Sequence, residues 1–364
     1  MKTIVALISL TFLATVIILP LSERHATAQA PTGPQGGAPQ AAQAPAQQNP
    51  PKPQQQAPQS GVSIAVEVPV VTLDVIATTQ RGDLLTGLKK ENFKITDEGV
   101  TQTITNFGPT EAPITIVMLM EFSSRGRDWF AYTAKYWADA FLPNLQQKDW
   151  IAFRTFDMNV QDQVDFTQNK DEVRNAIYHL YFPGFSESNV FDAVLKTIDD
   201  MKDVKGKKSI LLLATGVDTF SKHTLDQTMK QLRQSDVTIF CVGLDKPFLN
   251  YLELHGSQSP HMTYLQAENQ MKTIASLTGG FAWFPQFDGE LPGIFHEVAS
   301  FLRHQYSLSY TPSGGNDAKF HKVKIELVNP DGGPLEVHDQ KGKKQKWVVY
   351  AREGYEPQKA GNGN

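Results

Sequence analysis

Ile114-Thr-Ile-Val-Met-Leu-Met-Glu-Phe-Ser-Ser-Arg-Gly126 is an apolar run that ends abruptly in an acid, two hydroxyls and a glycine. A strand buried on both faces reads this way, because helices cover it above and below and no polar face is needed. In open parallel sheets, ligands gather where the carboxyl ends of strands meet loops. Glu121, Ser123 and Ser124 fall at that end, so one stretch decides both the fold class and the place of a candidate site.

Downstream the pattern alternates between strand and helix. Trp150–Phe156, Ser209–Ala214 and Val237–Gly243 are further strand-like runs, and Val160–Phe166 reads as an edge strand. Lys170–Leu180, Val190–Met201, Thr224–Gln234, Ala267–Leu277 and Leu291–Arg303 carry helical spacing. Asp128–Leu145 reads as a helix capped by Asp128, with Trp129, Tyr132, Tyr136, Trp137 and Phe141 as its core stripe. Residues 245–264, with Pro247 and Pro260, read as an inserted loop near the strand ends. Such alternation predicts an α/β fold: a doubly wound, mostly parallel, Rossmann-like sheet over residues 111–303.

The flanks alternate with period two instead. Val71–Ile76, Phe93–Asp97, Gln102–Phe107, Tyr306–Tyr310, Lys322–Val328 and Trp347–Tyr350 all read as strands, and a further one is expected in Ile64–Val70. Neither flank has enough strands to be stable alone. Residues 62–110 and 304–355 are therefore expected to pair into one smaller β-sandwich-like domain into which the α/β domain is inserted. Residues 356–364 are expected to be a flexible tail.

At the start, Lys2, the apolar run Ile4–Leu21 and Ala26-Thr27-Ala28 read as a signal peptide over residues 1–28. Left uncut, the run would be an N-terminal membrane anchor, and it is the only membrane attachment the sequence suggests. Residues 29–60 are a Pro/Gln-rich linker, expected to be disordered because it has too little apolar surface to offset ordering. The expected location is the periplasm or the medium. A net charge of -4 offers nothing to nucleic acid. The single Cys241 rules out an intrachain disulfide and cysteine-rich zinc sites, and its apolar surroundings predict a buried, inert thiol.

One ordered series of short motifs spans residues 74–355. It runs through Asp74 and Gly82, Leu88–Phe93, Asp97-Glu-Gly99, Gln102-Thr-Ile104, Glu121-x-Ser123 and Ser188-Asn-Val-Phe-Asp-Ala193. It continues with Thr278-Gly-Gly280, Arg303-His-Gln-Tyr306, Tyr310-Thr-Pro312 and Arg352-Glu-Gly-Tyr355. The series resembles the bacterial family of secreted von Willebrand factor A (VWA)-related proteins named for the Acidobacteria. VWA adhesion sites hold Mg²⁺ or Mn²⁺ with an Asp-x-Ser-x-Ser loop, a threonine from a middle loop and an aspartate at a later strand end. Carried over by the resemblance, Glu121 takes the first position, Ser123 is retained and Arg125 replaces the second serine. Ser188 stands for the threonine and Thr215 for the late aspartate, with Asp218 close by. The resemblance, so altered, implies a degenerate site that works without a cofactor. A bound Mg²⁺ or Mn²⁺ would have Glu121, Ser123, Ser188 and Asp218 as ligands. Arg125 is expected to pair with Glu121 in the cation's place.

Catalytic signatures are lacking. Ser123 and Ser124 have no Gly-x-Ser-x-Gly elbow, and Gly206-Lys-Lys-Ser209 lacks the first glycine of a phosphate loop. The function expected is therefore that of an exported, non-enzymatic, adhesion-like protein. Its loops at Glu121, Ser123, Ser124, Arg125, Ser188, Thr215 and Asp218 would bind a protein partner. The alternative is a structural or assembly component of the cell envelope that acts through the edges of its β domain.

Overall fold

The computed structural model describes residues 70–109, 113–123, 127–180, 185–254, 261–313, 319–339 and 341–356, within one compact unit spanning Ala65–Asn364. The signal segment, the linker, most of the strand expected in Ile64–Val70, the loop residues Ser124 and Arg125, and the tail beyond 356 lie outside the described residues.

The chain begins with β1 (Val71–Thr79), β2 (Phe93–Asp97), β3 (Val100–Gln102) and β4 (Ile104–Pro109). Between β2 and β3, Glu98 and Gly99 have φ of 48° and 82°. A two-residue hairpin of type I′ requires both central residues to be left-handed, which glycine adopts freely and glutamate does not. The α/β part follows: β5 (Thr115–Glu121), α1 (Arg127–Phe141), β6 (Trp150–Phe156), β7 (Val160–Thr167), α2 (Lys170–Tyr178), α3 (Val190–Met201) and β8 (Lys208–Ala214). Then come α4 (Leu225–Gln234), β9 (Thr238–Gly243), α5 (Asp245–Leu254), α6 (His261–Leu277), β10 (Ala282–Trp283) and α7 (Leu291–Arg303). Last are β11 (Tyr306–Tyr310), β12 (His321–Leu327), β13 (Val337–His338), β14 (Lys344–Gln345), β15 (Trp347–Tyr350) and β16 (Gly354–Tyr355).

The central sheet has the order β10-β9-β8-β5-β6-β7, parallel throughout except for the antiparallel edge strand β7. Alternate residues of β5 face opposite layers. Ile116, Met118 and Met120 pack with Trp137, Phe141, Val173, Phe295 and Phe301 of α1, α2 and α7. Val117 and Leu119 pack with Val190, Val194, Leu232, Met271 and Ile274 of α3, α4 and α6. Burial on both faces is why the run reads as continuously apolar. Cys241 lies in this second layer, fully buried, and burial pushes its thiol pKa up.

Two local expectations are corrected. Asp128 falls inside the first turn of α1, not at its cap, because the helix already begins at Arg127. The stretch 245–264 is not a loop excursion: α5 fills Asp245–Leu254 and α6 starts at His261. Pro247 is accommodated in the first turn of α5, where the N–H it lacks has no intrahelical acceptor. The side chains of Trp129 and Tyr132 lie outside what is described, while Tyr136 is exposed and Trp137 and Phe141 are in the core.

The flanking strands form two four-stranded antiparallel sheets, β15-β1-β11-β4 and β16-β12-β2-β3. Leu73, Val75, Phe93, Ile95, Leu308, Tyr310, Val323 and Leu327 fill the space between them. Strands from before and after the α/β part share each sheet, so that part is inserted in a β-sandwich-like unit. The insertion leaves and returns at paired residues, since Pro109 of β4 lies opposite Tyr306 of β11. Ile76 of β1 points away from the sandwich into the α/β core, where Tyr350 meets Phe281 edge-on at 5.0 Å. At the foot of α7, Arg303 bonds Asp149 at 2.6 Å, and Asp149 also accepts the N–H groups of Ile114 and Gln146.

Candidate functional site

β5 ends at Glu121 and β8 at Ala214, and the two strands are hydrogen-bonded neighbours. Their carboxyl ends therefore stand side by side. Glu121 crosses from one to the other. Its Oε2 accepts the backbone N–H of Thr215 and the Thr215 hydroxyl, both at 2.8 Å. Glu121 and Ser123 are 3% exposed and Ser188 and Thr215 4%, so this is an interior junction. A carboxylate taken out of water needs such donors to remain ionised without a large penalty.

Ser188 reaches the junction from the segment before α3. Its N–H donates to Thr219 Oγ1 at 2.8 Å and its carbonyl accepts the Thr219 N–H at 2.9 Å. This reciprocal clasp ties the pre-α3 segment to the loop after β8. The Ser188 hydroxyl is buried without a hydrogen-bond partner among the described residues. Glu121, Ser123, Ser188, Thr215, Thr219, Phe248 and Tyr264 enclose a cavity of about 10 Å³. That is about the space of a single water, and a water there would satisfy the Ser188 hydroxyl.

Asp218 belongs to the same neighbourhood, but its carboxylate is committed elsewhere. Oδ1 accepts the Phe191 N–H at 3.2 Å and the Ser221 hydroxyl at 2.5 Å, and Oδ2 accepts the Ser221 N–H at 3.3 Å. It thus serves one N–H of the first turn of α3, while the Ser221 hydroxyl it holds accepts the next, that of Asp192 at 3.2 Å. Asp192, one residue further on, accepts the N–H groups of Lys222 and His223 and the His223 ring at 2.7 Å. Burial pushes the Asp192 carboxyl up, but these donors outweigh it and hold it below the usual carboxylate range. Asp218 and Asp192 together sew the loop 218–223 onto α3.

The structure therefore brings Glu121, Ser123, Ser188 and Thr215 together and sets Asp218 beside them. The expected Glu121–Arg125 pair lies outside the described residues. Sequence reasoning missed Thr219, Phe248 and Tyr264. Nothing but an exposed-looking Thr-Phe pair signalled the first, and the last two belong to the helices misread as a loop. It also missed the rim. Phe185, Phe220, Met262 and Leu265, on segments that converge on this end of the sheet, are 44%, 66%, 70% and 55% exposed. Among the described residues no group of three or more His, Cys, Asp or Glu is placed to hold a metal ion.

Residues 115–277 match the model of the von Willebrand factor type A domain. No curated protein sequence matches the chain. Among solved structures, one similar to part of the chain is an aerotolerance-related membrane protein from Bacteroides fragilis. It is 10% identical, with 51% of this chain and 98% of that chain covered and a TM-score of 0.40. Another is the vWF domain of a type V pili tip protein from Porphyromonas gingivalis, 12% identical, with 52% and 95% covered and a TM-score of 0.39. A third is proximal thread matrix protein 1 from the mussel byssus with a zinc-occupied MIDAS motif, 14% identical, with 57% and 49% covered and a TM-score of 0.41.

Proposed function

Residues 115–277 being a von Willebrand factor type A domain, we propose that the chain is an exported, non-enzymatic interaction protein that binds a protein partner at the carboxyl ends of β5 and β8 without a metal ion. The observation that carries the reading is the direct bond from Glu121 to Thr215. A hard divalent cation needs about six oxygen ligands. Here one carboxylate oxygen is taken up by two donors from Thr215, and Asp218 is spent on α3 and Ser221. The residues do not fit a divalent cation, and the protein's own hydrogen bonds replace the link a cation would make between the two strand ends. The site is then rigid and always formed.

The described apolar side chains offered to such a partner are Phe185, Phe220, Met262 and Leu265, exposed on the segment before α3, the loop after β8 and the start of α6. Aromatic and methionine side chains left in water at a loop-built face are what protein interfaces are made from. Export rests on the N-terminal segment read from the sequence; among the described residues no helix is long and apolar enough to cross a membrane.

A photoreactive residue placed at Phe220 and, separately, at Val100 on edge strand β3 tests the proposal in cells. Adducts that form from position 220, persist in chelator and are absent from position 100 are the expected result. Adducts from position 100 alone would transfer the function to the β-domain edges. Titration calorimetry of the unaltered protein with Mg²⁺ and Mn²⁺ should show no saturable heat; micromolar binding would overturn the metal-free reading.

A further inference from the structure

A second cavity lies at the other end of the central sheet, where the β-sandwich abuts the amino ends of β8 and β9. Its volume is about 460 Å³, within the range of roughly 300–1,000 Å³ usual for small-molecule sites. β1, β4 and β11 wall one side through Asp74, Asn106 and Ser307, while Lys207 and Thr238 wall the other and Arg352 closes it. The packing that forms it is tight: a Cβ on Gly279 would stand 2.7 Å from the Arg352 nitrogen.

The cations here are under-used. Lys207 has three N–H donors. Two are accounted for by Gln305 Oε1 at 3.1 Å and Asp74 Oδ1 at 3.4 Å. Arg352 gives Nε to the Gly354 carbonyl and Nη2 to the carbonyls of Ser235 and Arg233. All its hydrogen-bond partners are neutral, and Nη1 has no acceptor among the described residues. Burial lowers the pKa of both groups, as expected for cations withdrawn from water without full compensation. Two half-buried cations from opposite walls thus keep donors in reserve at one cavity.

We propose that this cavity is a binding site for a small organic monocarboxylate, whose carboxylate is held by the spare donors of Lys207 and Arg352. The rest of the lining decides the charge and kind of ligand. Asp74 and Asp236 also line the cavity, and Asp236 already pairs with Lys208 at 3.1 Å. With Asp236 set against Lys208 and Asp74 against Lys207, one positive charge, that of Arg352, is left over: a monoanion balances it, whereas a dianion such as phosphate would leave one negative charge uncompensated and withdrawn from water. Asn106 and Thr238 present amide and hydroxyl groups that suit hydroxyls on the ligand, as in a sugar acid.

Glucuronate, glucose and inorganic phosphate serve as probes in calorimetric and amide-shift titrations of the full chain. Saturable binding of glucuronate is expected, with shifts at Thr238 and Ser307 and no binding of glucose. Lys207→Met should weaken it by about tenfold or more, and Lys207→Arg, which keeps the cation, should retain most of it. Failure to bind glucuronate, shifts confined to other residues, or phosphate binding as tight as glucuronate would each overturn the proposal. Should Lys207→Met not fold, the shift map on the unaltered chain decides alone.

Discussion

Glu121 Oε2 is bonded twice by Thr215, at 2.8 Å through the backbone and at 2.8 Å through the hydroxyl. A shorter aspartate at position 121 would have one methylene less with which to cross from β5 to β8. The length of Glu121 and the hydroxyl of Thr215 are thus both needed for the bond. Thr215→Val removes the hydroxyl while keeping the shape. It should cost about 1–3 kcal/mol, because a buried carboxylate oxygen loses one of its donors. Urea unfolding measures it.

Restoring the acids should restore the cation. The triple change Glu121→Asp, Arg125→Ser and Thr215→Asp removes the Glu121–Thr215 bond and sets two carboxylates at adjacent strand ends. Calorimetry should then register Mg²⁺ or Mn²⁺ binding by the triple variant and none by the unaltered protein. A folded triple variant with no such heat would contradict the assignment of these positions.

Acid should loosen the joint between α7 and the start of β5. Burial raises the Asp149 carboxyl, but Arg303 and the N–H groups of Gln146 and Ile114 prevail and keep it below its ordinary value. A depressed carboxyl stabilises the fold fully above the unfolded pKa, near 3.9, and loses that contribution as pH falls toward the folded value. Asp149→Asn should therefore cost about 2–3 kcal/mol near neutrality and flatten the acid limb of a stability–pH curve below about pH 4. Chemical denaturation across that range checks both.

Gly280 has no room for a side chain, since a Cβ there would sit 2.0 Å from the Ile239 carbonyl oxygen. Gly280→Ala must push β9 or the α6–β10 connection aside. A loss of about 2 kcal/mol or more is expected, by analogy with overpacked cores, and thermal melting would show it.

In the sandwich, Asp97 Oδ2 accepts both the Tyr310 hydroxyl at 2.9 Å and the Tyr355 hydroxyl at 3.0 Å. Either tyrosine changed to phenylalanine leaves the other in place. The double change leaves that oxygen without both phenols. The loss in the double variant should therefore exceed the sum of the two single losses by about 0.5 kcal/mol or more in a double-mutant cycle.

The sheet was legible because burial on both faces leaves a mark that survives any tertiary context: the strands Trp150–Phe156 and Lys208–Ala214 fall where the apolar runs put them, and the helices Val190–Met201 and Leu291–Arg303 where their spacing did. The helix at Asp245–Leu254 was not legible, because Pro247 suggests a break unless it is known to lie in the first turn. At the site, Glu121, Ser188 and Thr215 could be named from their motif positions. What the sequence could not carry is direction. Asp218 is two residues past Gly216 and looks free to turn inward, yet the Phe191 N–H of α3 and the Ser221 hydroxyl and N–H hold it on the other side. The apolar rim was invisible for a similar reason. Phe220 and Met262 lie far apart in the chain, and an exposed aromatic reads the same as a buried one until the fold turns it outward.

The paired junction of Pro109 and Tyr306 has a mechanical consequence. Tension on the loop face leaves the α/β domain through the Tyr306 end of β11, which lies against Val75 of β1. Tension at the start of β1 acts at Val71, opposite Tyr310 at the far end of the same strand pair. The two pulls meet β1 and β11 at opposite ends, so they slide the strands along each other instead of peeling them apart. Every rung of that ladder takes the load at once, the arrangement that resists pulling best.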